Sequence, residues 1–237
     1  MSNVLRFHRL RLQSLIIALT FVLGGGLCNA AVVVSQIISS TDDAEEHLTE
    51  GNTIDFTSTD LEIGAEGGGT DTQEIGLRFQ SIDIPVGSVI QDAFIQFTVD
   101  ETDTEPTSVR IFGELAANPL AYDATIANIS SRIRTVSFAD WTNIPVWDTI
   151  GAAGADQRTP DLTSLVQEII NQPGWAANNA MAFIIGPALN GERTAASFNG
   201  DPAGAPRLNV TFQAVPEPTA FSLVGLGVVL LGLRRRR

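Results

Sequence analysis

The sequence predicts an all-β sandwich with one short α-helix, flanked by two terminal targeting segments. From Ala31 onward, short β-rich runs alternate with clusters of Gly, Asn, Asp and Pro. One later run carries apolar residues at helical spacing. Each end of the chain combines an uncharged apolar stretch with arginines. We therefore divide the chain into residues 1–30, 31–214 and 215–237.

Residues 1–30 have the three parts of a secretory signal peptide. Three arginines precede an apolar stretch over residues 15–27, and the small-residue exit Cys28-Asn29-Ala30 follows. This order predicts export by the Sec machinery and cleavage by signal peptidase after Ala30. Lipidation of Cys28 is the alternative, but the residue before it, Leu27, is larger than a lipoprotein signal normally has.

The middle of the chain is strongly acidic and has no cysteine. All 14 basic residues of the protein are arginines, and residues 31–217 hold seven of them together with all 27 acids, a net charge of −20. Such a surface repels phosphate backbones and anionic lipids, so nucleic acid is excluded as a partner. Because Cys28 lies in the signal peptide, the mature domain has no disulfide, thiolate nucleophile or cysteine zinc site.

Nine runs of the middle segment read as β-strands. The clearest covers residues 89–99, where Ala93, Ile95, Phe97 and Val99 share one face, and it is expected to lie inside a sheet rather than at an open edge. The full set is 32–38, 53–57, 61–63, 73–79, 89–99, 109–115, 180–185, 194–198 and 207–212.

One helix interrupts the predicted strands. Thr159-Pro160 has the sequence of a cap followed by proline at the first helical position. The apolar residues that repeat after it at helical spacing are Leu162, Leu165, Val166, Ile169 and Ile170. We expect this helix to cover one end of the sandwich, and residues 171–174 to end it.

The C-terminal segment has three parts in a fixed order. Val215-Pro216-Glu217-Pro218 comes first, then an uncharged stretch over residues 220–233, then Arg234, Arg235, Arg236 and Arg237. Fourteen helical residues reach about 21 Å of a hydrocarbon core about 30 Å thick, and flanking residues and local thinning can cover the gap. The arginines remain cytoplasmic, which puts the acidic domain across the membrane.

These three parts resemble the PEP-CTERM sorting signal. The resemblance implies processing by an exosortase, a membrane-embedded transpeptidase-like enzyme of Gram-negative bacteria that make exopolysaccharide. It also implies transient insertion of a transmembrane sorting helix in the inner membrane, followed by release to the cell surface or extracellular matrix. The residues that this enzyme would recognise are Val215, Pro216, Glu217 and Pro218, with the arginine cluster as the cytoplasmic stop.

The middle domain resembles jelly-roll modules of the DNRLRE and carbohydrate-binding-module type. The stretches that carry the resemblance are Asp43-Ala44-Glu45-Glu46, Leu61-Glu62-Ile63-Gly64, Gly76-Leu77-Arg78-Phe79, Asp161-Leu162-Thr163-Ser164 and Ala205-Pro206-Arg207-Leu208. It implies a jelly-roll-like antiparallel β-sandwich that binds extracellular polysaccharide or builds matrix, in some members with bound Ca²⁺.

Two acidic clusters are candidate Ca²⁺ sites. Ca²⁺ takes six to eight oxygen ligands, so a bend dense in carboxylates suits it. The first cluster is Asp42, Asp43, Glu45 and Glu46, and the second is Asp100, Glu101, Asp103 and Glu105. A solvated acidic loop is the alternative for both.

Trp141 and Trp147 are the candidate ligand-binding residues, because both lie in predicted loops where a flat ring could stack on a sugar. Trp175 follows the helix and is expected to pack against it. Burial in the core is the alternative for Trp141 and Trp147. Arg132, Arg134, Arg158 and Arg193 either pair with polysaccharide carboxylates or form internal ion pairs.

We expect the domain to be non-catalytic. His47 is the only histidine outside the signal peptide, and no cysteine or Gly-x-Ser-x-Gly elbow accompanies it. The alternative is a secreted polysaccharide hydrolase or lyase. That reading requires two carboxylates in a groove, or His47 with an arginine and the single tyrosine, Tyr122.

Overall fold

A computed structural model describes residues 30–66, 70–187 and 191–214. The predicted sorting tail and all but the last residue of the predicted signal peptide lie outside these residues. Within the described ranges, no helix is both long and apolar enough to cross a membrane.

The described part of the chain is mostly β-structure with one short α-helix, as the sequence predicts. The strands are β1 (Ala30–Gln36), β2 (Asp43–His47), β3 (Thr53–Asp55), β4 (Asp60–Ile63), β5 (Ala65–Glu66), β6 (Asp71–Ile82), β7 (Val89–Gln96), β8 (Val109–Glu114), β9 (Arg134–Trp141), β10 (Asn179–Ile185), β11 (Arg193–Ala196) and β12 (Arg207–Gln213). A 3₁₀ turn (Ala155–Gln157) precedes the helix α1 (Thr163–Ile170).

The strands pair in antiparallel order throughout the described sheets. A three-stranded sheet has the order β1-β12-β7, and a larger sheet has the order β3-β2-β6-β10-β8-β9, with β5 paired to β6. The strands β4 and β11 form a separate pair.

One hydrophobic core joins the two main sheets. On β12, Leu208, Val210 and Phe212 are buried, while the residues between them are more exposed. They share their core with Phe79 and Phe183 of the larger sheet. Each such side chain stabilises the fold by about 1.5–3 kcal/mol through the apolar area it buries. Two sheets with a shared core between them are the arrangement of a sandwich.

The strand β7 corrects one prediction. It lies at the edge of its sheet, not inside it, because β12 pairs with it on one side only. The segment before α1 covers the other side: the Ile95 N–H donates to Thr159 Oγ1 at 3.0 Å, and the Leu162 N–H donates to the Ala93 carbonyl at 2.8 Å. The open edge of the strand is therefore covered, while Gln91 and Asp92 on it remain exposed to solvent.

The helix begins later than its sequence suggests. Thr159 bonds to β7, and α1 starts at Thr163, where Asp161 Oδ1 accepts the backbone N–H at 2.9 Å. Its buried stripe is as predicted and consists of Leu165, Val166, Ile169 and Ile170. The helix contacts β7 of one sheet and β8 and β9 of the other, so it covers the sandwich where these edges meet.

Candidate functional site

The first predicted metal cluster forms the strand β2 and the residue before it, not a loop. Side chains of a strand point alternately to opposite faces, so its acids separate into two sets. Asp42 and Glu46 lie on one face. Asp42 accepts hydrogen bonds from Arg78 Nη1 at 2.5 Å and Gln80 Nε2 at 2.6 Å. Glu46 accepts from the side chain of Asn52, from the backbone of Ile129, and from both the backbone and the hydroxyl of Ser130.

Asp43 and Glu45 point to the other face, where each carboxylate has a partner of its own. Asp43 Oδ2 accepts the Phe198 N–H at 2.7 Å, and burial raises the pKa of this carboxyl to about 6. Glu45 Oε1 accepts the Glu62 N–H at 2.7 Å. Burial, and then the neighbouring Glu62 carboxyl, raise the pKa of Glu45 well above its usual value.

The structure does not bring these four carboxylates together as one ligand set. Among the described residues, two other groups of three place metal-ligating atoms within 4.8 Å of one another. One group is His47, Glu66 and Asp71, and the other is Asp60, Asp100 and Glu101. The second predicted cluster therefore contributes only Asp100 and Glu101, which join Asp60.

Trp141 and Trp147 are core residues, which corrects their prediction as a sugar-stacking surface. Trp141 is 5% exposed and Trp147 is 0% exposed. Their rings pack against Phe97 at centroid distances of 5.9 and 6.4 Å. Trp147 Nε1 donates to the Asp156 carbonyl at 3.2 Å, so the only polar atom of that ring is satisfied inside the protein.

Trp175 packs in the core as predicted. It is 4% exposed, and its Nε1 donates to the Ile84 carbonyl at 3.0 Å. It belongs to the same core cluster as the buried residues of α1.

The arginines named from the sequence have internal partners. Arg132 pairs with Glu114 at 2.8 Å and Arg134 with Glu74 at 2.7 Å. Arg193 is 1% exposed and donates to Thr107 and to four backbone carbonyls. Arg158 donates to Gln96 Oε1 at 2.8 Å and lies over the ring of Phe94.

His47 and Tyr122 belong to different groups of residues. His47 Nδ1 lies 2.6 Å from Asp71 Oδ2. Tyr122 is buried with Ala44 and Ile129, and the guanidinium of Arg132 lies 4.1 Å from the centre of its ring. Burial raises the pKa of the Tyr122 hydroxyl.

The outward face of β8 and β9 carries an aromatic and cationic surface that sequence reasoning did not find. The register pairs Phe112 with Phe138 and Arg110 with Asp140. The Arg110 guanidinium lies 3.9 Å from the ring centre of Phe138, which is nevertheless 47% exposed. The alternation of Arg110 and Phe112 is visible in the sequence, but β9 was not among the predicted strands, so its contribution could not be seen.

The C-terminal segment follows this domain directly, since β12 ends at Gln213. Residues 214–237 match the PEP-CTERM protein-sorting motif. The motif indicates an exported protein that an exosortase processes after membrane-associated sorting. No curated protein matches the chain. The resemblance of the middle domain to jelly-roll modules is supported by no family match.

Proposed function

We propose that this protein is a surface or matrix component whose β-domain is a non-catalytic module that binds extracellular polysaccharide. The observation that supports display at the surface is the position of the two domain ends. The last strand stops at Gln213, one residue before the sorting motif begins, and the first strand starts at Ala30.

These two ends are neighbours in the three-stranded sheet, because Ala30 pairs with Gln213. The predicted signal peptide and the sorting motif therefore attach at the same corner of the domain. Both apolar segments can enter one membrane while the whole domain lies on its exported side. After processing, a compact acidic module with little extra chain would remain, which suits display at a surface.

The face of β8 and β9 is the surface that we propose contacts the polysaccharide. A sugar ring can stack on the exposed Phe138, and Arg110 offers a guanidinium to a uronate carboxylate. The Arg110–Asp140 pair is a surface ion pair with both side chains 40% exposed, so separating it to bind another carboxylate costs little.

The test is retention of the processed protein on immobilised extracellular polysaccharide from its host. Phe138→Ala should weaken retention about tenfold, the effect of losing about 1–2 kcal/mol of stacking. Val34→Ala is the matched control, because Val34 is 59% exposed on β1, which belongs to the other sheet. Circular dichroism checks that both variants fold.

The other outcomes distinguish the alternatives. If the wild type is not retained, the domain builds the surface layer without binding polysaccharide. If the wild type shortens the polymer, a hydrolase or lyase replaces our proposal.

A further inference from the structure

We propose that His47, Glu66, Asp71 and Gln73 bind a divalent transition-metal ion, with Zn²⁺ as the best match. The four residues come from three adjacent strands: β2, β6 and β5. His47 lies opposite Gln73, and Glu66 lies opposite Asp71. Asp71 and Gln73 are two residues apart on β6, so they share one face, and their partners are brought to the same place.

The polar atoms of the group converge on His47 Nδ1. This atom lies 2.6 Å from Asp71 Oδ2 and 4.0 Å from Glu66 Oε2. Gln73 Nε2 lies 3.4 Å from His47 Nδ1 and 3.1 Å from Glu66 Oε2. In a tetrahedral zinc site the ligand atoms are about 3.3 Å apart, so small side-chain movements would give that geometry.

Gln73 supplies a second, independent observation. Its side chain is 0% exposed, yet its Oε1 accepts no hydrogen bond. A buried oxygen without a donor is destabilising and calls for an explanation.

Rotation of the Gln73 amide by 180° would exchange its two polar atoms. Oε1 would then occupy the position beside Glu66 and His47, facing the centre of the group as a fourth ligand. Without a cation, this orientation would set the amide oxygen against the Glu66 carboxylate. A bound metal ion removes that repulsion and gives the amide oxygen a partner, while Nε2 takes the buried position that Oε1 leaves.

The types of ligand decide which ion fits. One imidazole nitrogen, two carboxylates and an amide oxygen suit Zn²⁺, whereas Ca²⁺ takes six to eight oxygens and no nitrogen. The Glu66 side chain is 51% exposed, so an ion can reach the group from solvent and a water molecule can complete its shell. The bound ion would link β5 to β2 across β6.

The test is zinc titration of the full chain, purified in detergent and stripped with a chelator. Isothermal titration calorimetry should find one tight site in the wild type, and Zn²⁺ should raise its melting temperature by binding only the folded state. His47→Gln and Glu66→Gln should each weaken this site by at least about 100-fold and remove the thermal shift. Glu66 is half-exposed, so its variant should fold even if the His47 variant does not.

Asp60→Asn is the matched control, because it removes one carboxylate from the other acidic group. It should keep the wild-type affinity and thermal shift. His8 and Cys28 are present in every variant, so any zinc that they bind does not differ between them. Two results would overturn the inference: folded Glu66→Gln binds Zn²⁺ as tightly as the wild type, or the wild type binds zinc only through His8 and Cys28. In either case His47 and Asp71 form an ordinary hydrogen-bonded pair.

Discussion

The fold buries the carboxyl group of Asp43, which is therefore partly protonated near pH 6. It is 4% exposed, and desolvation raises its pKa to about 6 although the Phe198 N–H donates to it. Because the folded-state pKa lies above the ordinary value, folding favours the protonated form. The associated stability is fully present below about pH 4 and is lost as the pH rises through about 6.

Asp43→Asn should therefore flatten the dependence of stability on pH. The amide oxygen can still accept the Phe198 N–H, but it carries no charge to desolvate. The wild type loses on the order of 3 kcal/mol between pH 4 and 7 at this residue, and the variant should not. Melting temperatures measured from pH 4 to 7.5 check this, and part of the decline should remain because burial also raises the pKa values of Glu45 and Glu62.

Asp83→Asn is the control for this measurement, because Asp83 is exposed. It should reproduce the wild-type decline. An Asp43→Asn profile that runs parallel to the wild type would mean that the Asp43 carboxylate is ionised without cost in the folded protein.

At the scale of single elements, Glu168 fastens the helix α1 to the edge strand β9. Its carboxylate accepts the backbone N–H groups of Val136 and Ser137 at 2.8 and 2.9 Å. Burial alone would raise the pKa of Glu168, but these two donors outweigh it and the net shift is downward. The two N–H groups belong to a sheet edge that would otherwise be open to another strand.

Glu168→Gln should destabilise the protein by about 1 kcal/mol at pH 7, because a neutral amide replaces an acceptor with two charge-assisted bonds. A lowered folded-state pKa gives stability that is fully present above the ordinary value of about 4.5 and is lost as the pH falls from there through the lower folded-state pKa. The difference between variant and wild type in urea unfolding should therefore shrink toward pH 3. Glu50→Gln, at an exposed position, should not differ from the wild type at pH 7 or pH 3. If the difference between Glu168→Gln and the wild type does not change with pH, it reflects packing and not charge.

The elements that the sequence predicts well are those with a periodic apolar pattern. Residues 207–212 and the stripe on α1 are examples, since alternation or helical spacing alone identifies them. The strand β2 could not be found in this way, because three of its five residues are acids with no β-propensity. It forms because Asn52 and the backbone N–H groups of Glu62 and Phe198 satisfy those acids.

The same limit applies to the sites. Trp147 lies in a segment without regular pattern, and contacts distant in sequence, such as its bridge with Asp103, turn that segment onto the core. His47 and Gln73 are 26 residues apart in sequence, and their contact depends on the register of β2 with β6. The sorting motif is different, because its meaning depends on the order of residues along the chain and not on folding.

At the scale of the whole molecule, the last strand is also a central one. The strand β12 lies between β1 and β7, and Leu208, Val210 and Phe212 belong to the main core. The three-stranded sheet therefore cannot form before the chain has been exported as far as Gln213. Since the sorting motif begins at residue 214, folding can be completed only when the motif is the next part of the chain to enter the membrane.

Two truncations separate folding from sorting. A stop codon after Ala214 removes all but the first residue of the motif and keeps every described strand, so the product should be secreted, folded and released into the medium. A stop codon after Pro206 also removes β12, which strips β1 and β7 of their shared partner and exposes the core. We expect this product to be digested by protease during export, whereas the longer one resists and melts at the temperature of the naturally processed protein. The intact mass of the naturally processed protein should show that residues 1–30 and the arginine cluster have been removed. A protease-resistant product without β12 would contradict the central role of this strand, and an unfolded product ending at Ala214 would mean that the domain needs the motif to fold.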